Sequence, residues 1–192
     1  MLNETRSFIA VLLPSELKRD IYQFTAPLRQ SPLSIKWVEE ENYHLTMKFL
    51  GSCSAIEINK ASNFLRDLTA ERKPFKLQCG EVMVFPNWHR PRVISLSLTG
   101  DTEILKNLWY EIEIGLASKG FPEEKRKRFN PHITLGRLRS ENSELRKMIE
   151  GKACPVTGKN ILVWDIRLMA SKLTPQGPQY TTIESFSFRK TL

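Results

Sequence analysis

Apolar positions along the 192-residue chain recur with two different periods, and the switches between them divide it into elements. Arg6 to Leu13 is rich in Phe, Ile, Val and Leu and predicts a buried strand. Pro14-Ser15-Glu16 is a helix-start signal, and Leu17, Ile21, Phe24 and Leu28 then recur at helical spacing. A helix is expected to about Arg29, ended by Ser31-Pro32. Ile35 to Val38 reads as a short strand, Glu39 to Asn42 as a turn, and Tyr43 to Leu50 as a strand stopped by Gly51-Ser52. Ala55 to Leu68 is amphipathic, with Ile58, Ala61, Leu65 and Leu68 inward. Phe75 to Phe85 predicts one or two strands, with Gly80 at a bulge or bend.

The second half repeats this order. Pro86 to Pro91 is a loop, and Arg92 to Thr99 alternates Val93, Ser95, Ser97 and Thr99 against Ile94, Leu96 and Leu98. Leu105, Leu108, Ile112 and Leu116 mark a third helix, with a glycine stop at Lys119-Gly120. Glu123 to Arg128 is a charged loop, and a second strand follows around His132. Ser140 to Glu150 reads as a fourth helix with Ser140 as its cap, and Leu145, Met148 and Ile149 inward. Asn160 to Leu173 is strand-like, Thr174 to Gln179 is a Pro/Gly turn, and Tyr180 to Phe188 is the last strand. Strand, helix, strand, helix, strand therefore occurs twice, which predicts two similar lobes packed on each other. The lobes divide near residues 1–90 and 91–192 of a single domain, with an exchange of terminal strands between them compatible with the pattern.

The two repeats share more than hydrophobicity. Tyr-His-Leu-Thr-Met begins at Tyr43 and Pro-His-Ile-Thr-Leu at Pro131, so two of the three histidines sit in one frame. His-apolar-Thr-apolar has strand period: Leu45 and Met47 face a core while His44 and Thr46 share the other face, and His132 and Thr134 do the same. A single such strand reads equally well as a half-buried strand with ordinary polar positions. Two copies at matching places in a repeat point to one cleft holding two imidazoles and two hydroxyls.

Composition narrows the chemistry. The net charge of +8 points to an anionic partner, nucleic acid first. No run approaches a membrane span, and the apolar stretch at residues 8–13 is too short for a secretory signal. Cys53, Cys79 and Cys154 are odd in number and lack metal-ligand spacing, so reduced thiols in a cytoplasmic protein are expected, without a metal or cofactor. Histidine titrates near neutrality, so one ring of a pair can take a proton while the other gives one. Hydroxyls beside them can bind non-bridging phosphate oxygens. That combination suits metal-free phosphodiester chemistry. Neither motif contains a nucleophilic Ser or Cys, and no Gly-rich nucleotide-triphosphatase loop occurs.

The paired frames resemble the two-histidine (2H) phosphoesterase superfamily, and more narrowly the RNA 2',3'-cyclic phosphodiesterases, long called 2'-5' RNA ligases. The resemblance covers nearly the whole chain. It takes in Arg6-x-Phe8-Ile9-Ala10-Val11, Trp37-Val38, Asn42 to Thr46, Lys48 to Gly51, Arg90 to Val93, Phe129-x-Pro131-His132-Ile133-Thr134-Leu135 and Leu173-x-Pro175-x-Gly177-Pro178-x-Tyr180. It implies an α+β fold of two pseudo-symmetric lobes, with antiparallel sheets lining a central cleft and helices outside. It implies hydrolysis of RNA 2',3'-cyclic phosphate ends to 2'-phosphomonoesters, with reversible 2'-5' ligation permitted. His44 would then be the proton donor and His132 the proton acceptor, with Thr46, Thr134 and Arg137 on the phosphate. Spacing alone assigns neither histidine as acid or base.

Other residues carry expectations of their own. Strict alternation puts Arg137 opposite His132, so a bend after Gly136 is required if it is to reach the phosphate. Lys48 shares the His44 face by alternation and is a candidate RNA contact, although strand-end lysines are commonly just solvated. Phe49 and Phe129 are candidate base-stacking residues, with core packing the better expectation for both. Lys125 to Arg128 either steers RNA or is a solvated run, His89 is a surface-loop histidine, and Tyr180 is a weak candidate for the cleft. A monomer is expected, because one chain holds both histidines. The competing readings are a 2H enzyme acting on small cyclic or 2'-5' nucleotides, and a non-catalytic RNA-binding module on the same fold.

Overall fold

A computed structural model describes residues 4–124, 128–139, 144–149, 154–175 and 177–189 of the chain. The strands are β1 (Thr5–Leu12), β2 (Ile35–Trp37), β3 (His44–Cys53), β4 (Phe75–Phe85), β5 (Val93–Gly100), β6 (His132–Leu138), β7 (Asn160–Val163), β8 (Asp165–Thr174) and β9 (Gly177–Ser187). The helices are α1 (Ser15–Arg29), α2 (Ala55–Thr69), α3 (Thr102–Ala117) and α4 (Glu144–Ile149), with a 3-10 turn at Glu40–Asn42. Ser140, expected as a cap, and Lys125, Arg126 and Lys127 of the basic run lie outside the described residues.

Local chemistry explains several ends. Ser54 Oγ accepts from the Glu57 N–H at the start of α2, and the Glu57 carboxylate accepts from the Ser54 N–H at 2.7 Å, a reciprocal cap. Gly120, at φ +91°, turns the chain out of α3 in a conformation that side chains with a Cβ avoid.

All strand pairs are antiparallel, in the order β7-β4-β5-β6-β3-β1-β8-β9, with β2 added beside β6. The sheet curls into a half-barrel. The order is palindromic about the β6–β3 junction: β5 flanks β6 as β1 flanks β3, and β4 lies beyond β5 as β8 lies beyond β1. The two motif strands are therefore the central pair.

The strand-like run from Asn160 to Leu173 is two strands, not one. It breaks at Trp164, where the chain leaves one end of the sheet for the other: Lys76 on β4 pairs with Leu162, whereas Phe8 on β1 pairs with Met169. No Gly or Pro marks the break, because the choice of partner makes it and not local conformation.

Burial separates the two faces of the sheet. Ile9, Val11, Leu45, Ile94, Leu96, Ile133 and Leu135 join Leu17, Ile21, Ala61, Leu65, Leu105, Leu108, Ile112 and Leu116 of the helices in one core. The alternate β1 residues Phe8 and Ala10 pack with Met169 in a separate small cluster, flanked by Leu12 and Tyr180. Period two in the strands thus leaves a second face, away from the helices, on which the motif side chains stand.

Candidate active site

Leu45 and Ile133 pair directly across β3 and β6 and are both buried in the main core. The residues on either side of each, His44 and Thr46, His132 and Thr134, therefore project together from the opposite face, and all four are half-buried. One register pair brings the two frames onto a single face of the sheet across an 88-residue separation in sequence.

Each imidazole is oriented from behind in the same way. His44 Nδ1 lies 2.7 Å from the Asn42 carbonyl oxygen, and His132 Nδ1 lies 2.8 Å from that of Asn130. A carbonyl only accepts, so Nδ1 carries the hydrogen on both rings and Nε2 is the nitrogen available for proton exchange. His44 Nε2 is 2.9 Å from Thr46 Oγ1, which donates to it when the ring is neutral. The repeated frame is thus Asn-x-His-x-Thr, longer at its start than the pair singled out from sequence.

Burial drives His44 strongly toward the neutral form and lowers its pKa to about 4. The Asn42 carbonyl opposes this, while the positive charges of Lys18 and His132 add to it. The Lys18 ammonium is held nearby by the Glu41 carbonyl at 2.7 Å. An anion between the rings would favour the charged imidazole and raise the His44 pKa from that value.

Aromatic rings brace both histidines. Phe8 packs on His44 at 5.1 Å between centroids, and Tyr180 meets the same ring edge-on at 5.3 Å. Phe85 packs on His132 at 4.8 Å. Tyr180 comes from β9, and the Asn42 side chain ties that strand down by donating to the Pro178 carbonyl at 3.0 Å. Tyr180, only a weak candidate by sequence, stands against His44 because β9 folds back onto the β1–β3 half of the sheet.

Beyond each threonine, a bulge in the motif strand sets which way the side chains point. Ala10 pairs with Thr46 but Ile9 pairs with Lys48, so Met47 is an extra residue; Ser95 pairs with Thr134 but Ile94 pairs with Gly136, so Leu135 is extra. Each bulge shifts side-chain parity by one. Arg137 consequently returns to the histidine face and is exposed, through a bulge before Gly136 and not a bend after it. Phe49 also returns to that face, where it is 62% exposed and 6.1 Å from Phe8, which corrects the expectation that it packs in the core.

Lys48 moves the other way. It is neither a cleft residue nor solvated: its ammonium is buried on the helix side, 2.6 Å from Glu113 Oε2 on α3 and 2.7 Å from the Pro122 carbonyl. Phe129, by contrast, stacks on Trp109 at 5.1 Å against the main core, as expected. His89 is exposed in its loop.

Among the described residues, no group of three or more His, Cys, Asp or Glu is arranged to hold a metal ion. Cys53, Cys79 and Cys154 are buried free thiols. No helix of the described residues is long and apolar enough to cross a membrane.

Comparison with known proteins agrees with this fold. The family model described as LigT like Phosphoesterase matches residues 11–95, which include the first motif. A Methanocaldococcus jannaschii protein named RNA 2',3'-cyclic phosphodiesterase is 31% identical over 183 residues, 94% of this chain and 99% of the relative. An Aquifex aeolicus protein of the same name is 32% identical over 151 residues, 79% of this chain and 80% of the relative. The crystal structure of E. coli LigT complexed with 3'-AMP superposes with a TM-score of 0.78 at 26% identity, covering 98% of this chain and all of that one. With near-full-length relatives above 30% identity and two motif strands paired at the centre of the sheet, the chain belongs to the LigT-like phosphoesterase family.

Proposed function

We propose that this protein hydrolyses RNA 2',3'-cyclic phosphate ends to 2'-phosphomonoesters by paired acid–base catalysis. The observation that carries the reading is the pairing of β3 with β6, which puts two Asn-x-His-x-Thr frames on one face, each with its Nδ1–H turned to a backbone carbonyl. Relatives named RNA 2',3'-cyclic phosphodiesterase support the same substrate, as does the net charge of +8.

In this mechanism His132 Nε2 takes a proton from water as the water oxygen bonds to phosphorus. The bond from phosphorus to O3' breaks, and O3' takes the proton from His44 Nε2. The 2' ester is retained. Thr46, Thr134 and Arg137 hold the non-bridging oxygens, where negative charge grows in the transition state. His44 must be charged to act as the acid, and the phosphate anion supplies the field that charges it. Phe49, exposed beside Phe8, offers a ring on which the terminal base stacks. Both imidazoles belong to one chain, so a monomer suffices, and three reduced thiols fit the cytoplasm. No step calls for a metal ion.

The test is a short RNA ending in a 2',3'-cyclic phosphate, incubated in chelator with the wild type, His44→Ala and His132→Ala. Formation of a 2'-phosphate that disappears in either variant is the expected result. Turnover that stops in chelator and returns with a divalent ion would overturn the mechanism. Retained binding without any turnover would overturn the activity.

A further inference from the structure

The register of β2 against β6 sets Lys36 directly across from Arg137. Paired residues on neighbouring strands share a face. The residues flanking Lys36 turn to the core side, where Gly136 leaves them room: a Cβ there would meet Ile35 Cγ2 at 2.9 Å and Trp37 Cε3 at 3.0 Å. Lys36 and Arg137 therefore project together from the histidine face, both exposed.

Like charges directly opposite one another destabilise a ladder. Some other cations of this chain are paired, Arg29 with Glu39, Arg66 with Glu184 and Arg72 with Glu111. Among the described residues, neither Lys36 nor Arg137 has an ion pair or a side-chain hydrogen bond. Arg6, two residues before Phe8 on β1, adds a third cation to this face, and its charge acts with that of Arg137 on the Tyr180 hydroxyl. Among the described residues, no carboxylate is ion-paired with Lys36, Arg137 or Arg6.

We propose that Lys36 and Arg137 seat two successive phosphates of one RNA strand, Arg137 on the reacting phosphate and Lys36 on the diester 5' of the terminal nucleotide. This rests on the RNA-end reading above. Cross-strand neighbours stand about 5 Å apart at Cβ, and a bound strand turns their repulsion into two attractions. A free cyclic mononucleotide has no second phosphate, so the seat distinguishes an RNA end from a small cyclic nucleotide.

The experiment compares kcat/KM for a 2',3'-cyclic mononucleotide and for a tetranucleotide with the same cyclic end, in wild type, Lys36→Gln and Lys36→Arg, over a range of salt. In parallel, fluorescence anisotropy measures binding of a labelled tetranucleotide ending in 2'-phosphate. We expect Lys36→Gln to cut the tetranucleotide-to-mononucleotide preference about tenfold. It should also reduce the salt slope of binding by about 0.7. Lys36→Arg should restore both, and Lys36→Gln should melt at a higher temperature than the wild type because the repulsion is gone. An unchanged preference and salt slope in Lys36→Gln would overturn the seat. If the wild type hydrolyses neither substrate, the proposed activity fails by itself. The anisotropy slopes then decide the seat, a reduced slope upholding it and an equal slope overturning it.

Discussion

Phe49 and Arg137 occupy equivalent places: each stands five residues after its motif histidine, and each is turned onto the histidine face by a one-residue bulge. The two halves of the cleft thus share a backbone and differ in what they present, an aromatic ring on one side and a guanidinium on the other. We predict different kinetic signatures for them. Arg137→Gln should lower kcat/KM by about a hundredfold, mostly in kcat, as expected when a charge-stabilising donor is removed. Phe49→Ala should raise KM about tenfold with kcat little changed, since base stacking is worth about 1–3 kcal/mol. Steady-state kinetics on a cyclic-ended RNA checks both, and matching effects on kcat would contradict the division of roles.

The pairing of Lys48 with Glu113 lies on the opposite side of the first motif strand, buried beneath the cleft. Glu113 Oε2 also accepts from the Glu124 N–H at 3.2 Å, so the pair joins β3 to α3 and to the loop that leads toward the second motif. Lys48→Met strands a buried carboxylate and should cost about 3–5 kcal/mol in denaturant unfolding. Lys48→Met combined with Glu113→Leu should recover most of that, because the two charges leave together. A single variant within about 1 kcal/mol of wild type would show the pair to be dispensable.

His44 gives a pH prediction. Its pKa falls from the usual 6.5 to about 4 in the folded protein, so the folded state binds fewer protons than the unfolded chain between those values. Its contribution to stability is complete above about 6.5 and is lost as pH falls toward 4. The loss is on the order of 3 kcal/mol at most. NMR titration of the ring should give the low value in the free protein and a higher one with a 2'-nucleotide bound. A free-protein pKa near 6.5 would remove the need for the substrate to charge this residue.

Asn42 acts twice, through its carbonyl on His44 and through its side chain on Pro178. Asn42→Ala spares the first contact and releases the second, which frees Tyr180 from the His44 ring. The expected outcome is a fall in kcat/KM of about tenfold, with a stability change near 1 kcal/mol. Tyr180→Phe should be mild, Tyr180→Ala should match Asn42→Ala, and the double alanine variant should fall short of the product of the two singles. Full additivity would mean that the two residues act independently.

The half of the answer carried by local pattern was legible in the chain. Period-two alternation put His44 with Thr46 and His132 with Thr134, and the repeat placed their strands at matching positions, because both follow from backbone geometry within one strand. Tertiary structure decided the rest. Extending the same alternation past Thr46 and Thr134 misplaced Lys48 and Phe49, and it reached Arg137 only through an added bend, since a bulge arises from the register between two strands and leaves no mark in either alone. The break at Trp164, the arrival of Tyr180 at His44 and the opposition of Lys36 to Arg137 have the same cause. Each depends on which distant segment lies alongside, and that choice is made by burial over the whole sheet.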